Sequence, residues 1–466
     1  MTTYSAVRTT GIYCRPGCTA RPHAENIQTF ELAAAAEAAG YRACLRCRPY
    51  RVAGAVGDDA PELVCRAVQL IISGVLDDAN EAALGARVGV SARHLRRMFN
   101  DHLGMTPDQF ARSRRAHFAR RLLDDSDLSI TEVAFASGFG SLRQFNRAMQ
   151  EVFRSAPREL RKRRQRADRL TADGGLVLRM PFTAPYDWDA TIDFLAKRAI
   201  PGVESADSVV YRRTIALDGA PGMLEIGPGS TDHLQLRAHL PYWQGVIHVV
   251  DRAARLVGID SDPNLASAQL AADPTLGPLI TSRPGVRVPG AWGPFEVAVH
   301  AVISQELRDP DARSGLGRLA RSYGTPIPGL GYGLTHAFPS AEVLASAPAD
   351  GYGLPGRLGE VVSALARAVM SGAVTLDGSE PLDELVGSLV ALSGVSAAAA
   401  HHVALRLGAR DAFPTTDANV QRELRRRGVS LDDLELASMP WRPWRALATV
   451  HLLAEDRRQA ALNSSI

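Results

Sequence analysis

The sequence predicts a multidomain, mainly α-helical fold with α+β parts, and three observations support this. Its 466 residues exceed the roughly 100–200 residues of a typical domain. Apolar residues recur every three or four positions over 62–165 and again beyond residue 294, which is the spacing of helices. Between them, short segments alternate apolar and polar side chains as half-buried strands do, around an amphipathic helix. The expected domains cover residues 1–52, 62–165, 175–285 and 286–460.

The composition excludes a membrane-spanning protein and favours a polyanionic partner. No stretch approaches the ~20 apolar residues that span a bilayer, and the N-terminus lacks the order of a signal peptide. We therefore expect a cytoplasmic location. Basic residues clearly outnumber acidic ones over 91–169, whereas 170–466 is net acidic. The second domain is thus the part that should attract nucleic acid.

The N-terminal segment is predicted to be irregular and to bind a metal. Four of the five cysteines form two close pairs, Cys14 with Cys18 and Cys44 with Cys47. Disulfides are rare in a reducing compartment, and four thiolates in two short loops suit tetrahedral zinc. A closed site of this kind usually has only a structural role, and that alternative stays open. Cys65 lies on a predicted helix and is expected to be an ordinary buried thiol.

The residues around these cysteines resemble a known family. The motifs are TTGIYCRPGC at 9–18 and GYRACLRC at 40–47, and they resemble the N-terminal domain of the Ada family, which repairs methyl phosphotriesters in DNA. The resemblance implies that Cys14 is both a zinc ligand and the methyl acceptor, and that Arg21 contacts phosphate. Family members carry a longer segment ahead of this motif, so the domain over 1–52 is expected to be short at its N-terminus.

The implied chemistry follows from charge. A divalent cation keeps thiols ionised at neutral pH, and the thiolate is the nucleophilic form, so an exposed thiolate is expected to take the methyl group. Methylation removes one negative charge from the site. Because DNA phosphates are anionic, DNA affinity should rise afterwards, and the repair event can act as a regulatory switch.

The second domain is predicted to contain two helix-turn-helix units. Helix, turn and second helix are expected over 81–99 and again over 130–149, with Ser91 and Ser141 as N-caps of the second helices. The apolar residues of these helices have core spacing, and the polar ones between them are the expected DNA contacts. These contacts are Arg93, Arg96, Arg97, Arg143, Gln144, Asn146 and Arg147.

The same domain resembles the DNA-binding domain of the AraC family. The motifs are ITEVAFASGF at 130–139, FNR at 145–147 and APREL at 156–160. The resemblance implies a transcription factor that acts on double-stranded promoter DNA, with RNA polymerase as a further candidate partner. Residues 51–61, which lack periodicity and contain Gly, Ala and Pro, predict a linker ahead of it.

The C-terminal part resembles the AlkA-type alkylpurine DNA glycosylases. The motifs are PYDW at 185–188, RPGVRVPG at 283–290 and WRPWR at 441–445. The resemblance implies an α+β subdomain followed by a helix-hairpin-helix domain with its hairpin at 392–396. Gly394 and Ser396 are the expected phosphate-binding residues, since the backbone N–H groups of such a turn bind phosphate.

Asp417 has two interpretations. The resemblance makes it the catalytic carboxylate, which stabilises positive charge on the sugar while a flipped alkylated base departs. A lone Asp after a Pro-Thr-Thr turn is more often a helix N-cap, and only the resemblance favours catalysis. No lysine lies near the hairpin in sequence and no cysteine follows Cys65. Schiff-base lyase chemistry and an iron–sulfur cluster are therefore not expected, and the glycosylase should be monofunctional.

Several positions depart from the AlkA pattern. Ser396 replaces the second hairpin Gly, Ala398 stands where the family has Trp, and Leu453 occupies the position of the Trp that stacks on the flipped base. Gln305 matches a helix Gln near the pocket, so Gln305 and Leu453 are the expected base-pocket residues. Losing base–aromatic stacking would cost roughly 1–3 kcal/mol of binding.

The leading hypothesis is an alkylation-damage response protein with zinc as cofactor. It would combine methyl-phosphotriester repair through Cys14, methylation-switched transcriptional activation, and excision of 3-methyladenine-type purines from DNA by a monofunctional N-glycosylase. The alternative is a transcriptional regulator whose glycosylase half is catalytically degenerate. Base release from methylated DNA separates the two.

Overall fold

The structure, a computed structural model, describes residues 3–20, 22–51, 60–165, 168, 170, 175–432 and 434–464. Within these residues the mainly helical fold with α+β parts is confirmed. The chain divides into two units, and the division cuts through the predicted 175–285 domain, so the four domain boundaries stay a prediction. Unit 1 comprises Met1–Thr183, Gly229–Ala254 and Ile259–Asp262, and unit 2 comprises Ala184–Pro228, Arg255–Gly258 and Pro263–Ile466.

The N-terminal segment contains a four-stranded sheet, so the prediction of irregular structure was wrong. The strand order is β3-β1-β2-β4, antiparallel except for the parallel pair β2·β4. Strands of two to four residues are too short for apolar alternation to show in the sequence. The elements are β1 (Tyr4–Val7), β2 (Ile12–Cys14), β3 (Ile27–Phe30), α1 (Ala33–Ala38) and β4 (Arg42–Ala43).

The two helix-turn-helix units are confirmed. The Ser91 Oγ accepts a hydrogen bond from the His94 N–H, and the Ser141 Oγ accepts one from Gln144, so both serines cap the helices they were predicted to cap. Most of the linker predicted over 51–61 lies outside the described residues. The helices are α2 (Glu62–Ile72), α3 (Val75–Asp78), α4 (Glu81–Arg87), α5 (Ala92–Leu103), α6 (Pro107–Asp125), α7 (Ile130–Ala136), α8 (Leu142–Phe153) and α9 (Pro157–Lys162).

The next segment mixes strands and helices, as predicted. In unit 1, β5 pairs with β9 in an antiparallel register that runs from Leu176↔Ala238 to Pro181↔His233. In unit 2, β7 pairs antiparallel with both β6 and β8. The elements are β5 (Leu176–Pro181), α10 (Trp188–Arg198), β6 (Glu204–Ala206), β7 (Tyr211–Leu217), β8 (Ala220–Ser230), β9 (His233–His239), α11 (Val246–Leu256), α12 (Pro263–Leu270) and α13 (Gly277–Ser282).

The C-terminal part of unit 2 is helical apart from one short strand pair. Its larger core gathers apolar residues of α14, α15, α17 and α19, and a second core forms around Phe413, Trp441 and Leu424. Among the described residues, no helix is both long and apolar enough to cross a membrane. The elements are α14 (Pro294–Ser304), α15 (Asp309–Tyr323), β10 (Thr325–Pro326), β11 (His336–Ala337), α16 (Ala341–Ser346), α17 (Leu358–Ser371), α18 (Leu382–Val390), α19 (Ala397–Arg406), α20 (Ala418–Arg426), α21 (Leu434–Ser438) and α22 (Arg445–Ser464).

A buried carboxylate joins the second cysteine loop of unit 1 to helix α6. Asp124 is fully buried and forms an ion pair with Arg120, at 2.7 Å between Oδ1 and Nη1. Its Oδ2 accepts a hydrogen bond of 2.9 Å from the Tyr50 hydroxyl. Arg48, which follows the last cysteine of the cluster, lies 3.9 Å from the same oxygen and 2.6 Å from Asp168. Residues on both sides of the linker are therefore held by one charged network.

We expect Asp124→Ala to lower the free energy of unfolding by about 3 kcal/mol, because it leaves the Arg120 guanidinium buried without its carboxylate. Urea unfolding, monitored by far-UV circular dichroism, measures this loss of stability. The control is Asp127→Ala, since Asp127 is half exposed and its pair with Arg164 at 3.0 Å lies at the surface, where a pair contributes about 0–1 kcal/mol. Equal effects of the two substitutions would contradict the prediction.

Candidate functional site

The four predicted metal ligands come together at one edge of the N-terminal sheet. Strands β2 and β4 are parallel, with Tyr13 opposite Ala43, so Cys14 and Cys44 end up side by side where the two strands end. Each strand is followed by a tight loop that returns a second cysteine, and Gly17 provides the left-handed backbone (φ 73°) that the first loop requires. The Sγ atoms of Cys14, Cys18, Cys44 and Cys47 all lie within 4.8 Å of one another.

The thiol cluster fits a divalent cation. A hydrogen bond from the Cys14 thiol lowers the pKa of Cys47 to about 5, whereas the same hydrogen bond and burial raise the pKa of Cys14. One ionised thiol thus opposes the ionisation of its neighbour, and a bound cation is what lets all four ionise together. Four sulfur ligands in tetrahedral reach favour zinc. The sequence prediction of a zinc site is confirmed.

Tyr13, the residue before Cys14, connects the N-terminal sheet of unit 1 to helix α6. The Tyr13 hydroxyl, next to Cys14 in β2, donates to Glu37 Oε1 at 2.5 Å. His117 of α6 places its Nε2 2.6 Å from the same oxygen and 3.2 Å from the Tyr13 hydroxyl. Sequence reasoning missed this contact because Tyr13, Glu37 and His117 are too far apart in the chain for any spacing to relate them.

The predicted DNA contacts on the two second helices are all on the protein surface. The exposed side chains are Arg93, Arg96, Arg97, Arg143, Gln144, Asn146 and Arg147. Arg21 lies outside the described residues. Several of the exposed side chains have partners within the protein, which DNA would have to replace. The pairs are Arg96 with Glu81, Arg147 with Glu151 at 2.8 Å, and Arg97 with His94 at 2.9 Å.

The predicted hairpin is confirmed as the turn between α18 and α19. Gly394 has φ 94°, and a Cβ there would lie 2.6 Å from Val361 Cγ2, so glycine is required. Ser396 has φ −81°, which any residue adopts, and its Oγ caps α19 by accepting the Ala399 N–H at 3.2 Å. The replacement of the second family glycine by serine is therefore compatible with the turn and adds a helix cap.

Gln305 braces this hairpin. Its Nε2 donates to the Gly394 carbonyl at 2.5 Å, and its Oε1 accepts the Ser396 N–H at 2.9 Å. Leu453, the other predicted pocket residue, is only 5% exposed and packs in the second core of unit 2. The structure thus gives Gln305 a contact with the turn and Leu453 a contact with the core. Their assignment to the base pocket stays a prediction.

The structure shows that Asp417 caps a helix, while its catalytic interpretation stays a prediction. Its Oδ1 accepts the Asn419 and Val420 N–H groups, each at 2.9 Å, so the residue does cap α20. Its Oδ2 lies 2.9 Å from His402 Nε2 on α19. Burial would raise the pKa of Asp417, but the hydrogen bond and charge of His402 and the two helix N–H donors outweigh burial and hold the pKa below its usual 3.8. The carboxylate is therefore ionised at neutral pH.

His402 is the residue that sequence reasoning missed here. Its only sequence signal is the His401-His402 pair in an alanine-rich helix, and that signal does not identify a partner. The neighbouring His401 accepts the Phe413 N–H at 3.3 Å and so steadies the segment that leads to Asp417. His300 on α14 is half-buried, and desolvation together with Arg198 and Arg406 lowers its pKa to about 3.

Three parts of the chain match known protein families. Residues 2–50 match the family described as the metal binding domain of Ada, residues 84–163 match a helix-turn-helix domain, and residues 177–293 match the AlkA N-terminal domain. These matches follow the order in which the sequence resemblances occur.

Curated relatives cover both the whole chain and its parts. The Mycobacterium tuberculosis protein named "Probable bifunctional transcriptional activator/DNA repair enzyme AlkA" is 35% identical over 454 residues, which are 96% of this chain and 91% of the relative. "DNA-3-methyladenine glycosylase 2" of Escherichia coli is 26% identical over 58% of this chain and 93% of its own length. The Escherichia coli enzyme Ada is 35% identical over 34% of this chain and 43% of its own length.

A solved structure supports the fold of the C-terminal part. The 3-methyladenine DNA glycosylase of Archaeoglobus fulgidus aligns with a TM-score of 0.52 and 20% identity, over 60% of this chain and 98% of its own length. At this identity the likeness concerns the fold alone.

We expect one zinc per chain in the reduced protein and loss of that zinc in Cys44→Ala or Cys47→Ala, because three thiolates cannot complete the tetrahedron. Metal analysis after desalting measures this. Cys65→Ala is the control: its thiol lies outside the cluster, 3.4 Å from the Ala60 carbonyl, and its zinc content should equal that of the wild type. A wild type without zinc would refute the assignment.

Proposed function

Because the chain belongs to the family of bifunctional transcriptional activator/DNA repair enzymes, we propose that it repairs alkylated DNA by two chemistries and regulates transcription in response. Its helix-hairpin-helix part would excise alkylated purines of the 3-methyladenine type as a monofunctional N-glycosylase. Its zinc part would accept a methyl group from DNA phosphotriesters. Its helix-turn-helix part would bind promoter DNA, with RNA polymerase as the partner that an activator requires.

The anchored carboxylate of Asp417 carries the glycosylase proposal. Breaking the N-glycosidic bond leaves its electron pair on the departing base and positive charge on the sugar. A carboxylate that is ionised, half-buried and already oriented stabilises that charge without reorganising. Asp417 has these properties because the helix N-terminus and His402 hold it from two sides. Water then completes the hydrolysis at the sugar carbon.

The hairpin supports DNA binding next to this carboxylate. Helix α19 begins at Ser396 and carries His402, so the phosphate-binding turn and the partner of Asp417 belong to one rigid element. Gln305 fixes the shape of that turn from α14. Acidic residues outnumber basic ones over 170–466, so this part of the chain has no general electrostatic attraction for DNA. Hydrogen bonds from the backbone of the turn to phosphate would have to hold the DNA.

The thiol cluster supports the methyl-transfer proposal. Zinc, when bound, keeps the sulfurs ionised and nucleophilic. The Cys14 sulfur would form a bond to the methyl carbon, while the electron pair of the broken carbon–oxygen bond stays on the phosphate oxygen. Cys14 is 6% exposed and is the most buried of the four cysteines, whereas the sequence predicted an exposed thiolate. Its role as acceptor therefore depends on the resemblance to the Ada family and is tested below.

We expect Asp417→Asn to abolish base release while DNA binding persists. Asparagine caps helices as well as aspartate does, so α20 should stay folded, but an amide cannot stabilise positive charge on the sugar. Losing one such group lowers rates by ~10²–10³. The measurement is single-turnover release of 3-methyladenine from alkylated duplex, with an intact abasic strand as product.

The matched control is Asp350→Asn, an exposed carboxylate in the same unit, which should keep the wild-type rate. Equal release by the wild type and Asp417→Asn would move the catalytic role elsewhere. No release by either, with the DNA demonstrably bound, would favour the degenerate-domain alternative.

We expect a phosphotriester methyl group to transfer to Cys14 and to no other cysteine, followed by tighter promoter binding. Four thiolates and one divalent cation carry two net negative charges, and methylation removes one of them near the DNA phosphates. Peptide mass mapping locates the methyl group, and binding titrations at fixed salt measure the affinity. A methyl group on the more exposed Cys18, Cys44 or Cys47 would contradict the assignment.

A further inference from the structure

We propose that His402 is a positioning residue for base excision, which fixes the orientation of the Asp417 carboxylate. The inference rests on the proposed glycosylase function, in which that carboxylate stabilises the cationic sugar. It concerns an imidazole–carboxylate pair in unit 2, formed between a helix that follows the phosphate-binding turn and a residue that caps the next helix.

The two oxygens of the Asp417 carboxylate have different hydrogen-bond partners. The α20 N-terminus occupies Oδ1 with two N–H donors at 2.9 Å. Rotation about the Cβ–Cγ bond moves both oxygens, so the two bonds to Oδ1 restrain the plane of the carboxylate at one of its ends only. His402 Nε2, 2.9 Å from Oδ2, provides the second point of attachment. Three donors on two elements thus set both the position and the plane of the group.

An imidazole is suited to this task because it can donate a hydrogen bond while neutral. Asp417 is ionised, so the hydrogen shared with Oδ2 belongs to His402 Nε2. The buried carboxylates Asp124 and Glu296 are instead paired with arginine, at 2.7 Å from Arg120 and 2.9 Å from Arg213. A permanent guanidinium charge would cancel part of the negative charge that the sugar requires. An imidazole, which carries a full charge only when it is protonated, cancels less of that negative charge than a guanidinium does.

Neighbouring basic groups do not duplicate this contact, since each has a different partner. Arg406, one turn further along α19, donates to the Gly290 carbonyl at 2.7 and 3.1 Å. His401 accepts the Phe413 N–H, and His300 lies 3.2 Å from the Ser304 hydroxyl. The His402 side chain is 26% exposed and that of Asp417 17% exposed, so the pair is accessible to a bound nucleotide and does not belong to the packed core.

Two variants that differ by one methylene test the proposal. In His402→Gln the amide nitrogen can occupy the position of Nε2, whereas in His402→Asn it falls about one bond length short. Both variants replace the imidazole with an amide. The matched control is His233→Gln in unit 1, where His233 Nδ1 lies 2.6 Å from Asp232 in another histidine–aspartate pair.

Two readouts report the placement of the carboxylate. The first is the single-turnover rate of 3-methyladenine release from alkylated duplex. The second is the ratio of affinities for duplexes that carry a cationic pyrrolidine or a neutral tetrahydrofuran in place of one nucleotide. This ratio measures how well Asp417 stabilises positive charge at the sugar position, and it does not require base release.

We expect His402→Gln to stay within about threefold of the wild type in both readouts. His402→Asn should lower the rate and the affinity ratio about tenfold or more, as misplaced groups do in other sites. Binding to the tetrahydrofuran duplex should not change. Identical values for His402→Asn, His402→Gln and the wild type would overturn the proposal, and so would an equal loss in both variants.

The test separates this proposal from the proposed function. A wild type that prefers the pyrrolidine duplex but releases no base would contradict the glycosylase activity while the Gln and Asn variants still test the positioning role. A wild type without that preference would overturn the positioning proposal outright. Thermal melting of each variant verifies that it folds, and His402→Gln serves as the folded reference for His402→Asn.

Discussion

A carboxylate that is buried away from water stays ionised only if hydrogen-bond donors surround it. Both units depend on buried carboxylates of this kind. In unit 1, Asp124 is held by Arg120 and Tyr50 and so ties the second cysteine loop to α6. In unit 2, Glu296 on α14 is held by both terminal nitrogens of the buried Arg213 on β7, at 3.3 and 2.9 Å. These pairs connect elements that apolar packing alone would leave free to slide past one another.

Asp417 satisfies the same requirement in a different way, and that difference suits it to the role proposed for it. Its donors are two backbone N–H groups and one imidazole, none of which must carry a full positive charge. The position at the start of α20 adds the favourable field of a helix N-terminus. A residue that looks like an ordinary helix cap can therefore also be a fixed anion, because capping occupies only one of its two oxygens.

The sequence predicted features that depend on local spacing and missed those that depend on folding. Four cysteines in two loops predicted their ligand set, and serine at the helix starts predicted Ser91 and Ser141 as caps, since each pattern lies within a few residues. The N-terminal strands were missed because two to four residues are too few to show a period. The partner of Asp417 was missed because a turn and the end of a helix separate it from His402. The resemblance to AlkA-type enzymes predicts Gln305 in the base pocket, which stays a prediction, and only the structure shows that Gln305 holds the hairpin.

Helix α19 also fixes the rotation about its axis between the hairpin turn and the His402 imidazole. Ser396 begins the helix and His402 lies six residues further on, so about 9 Å of rise separates them along the axis. Four alanines fill most of the interval, of which Ala399 and Ala400 pack in the larger core of unit 2 and Ala397 is exposed. The length of the interval between Ser396 and His402 matters greatly. Inserting or deleting one residue would turn His402 by about 100° around the helix axis and away from Asp417. The exposed position of this stretch can therefore change in composition, yet the stretch cannot change in length without uncoupling the turn from the carboxylate.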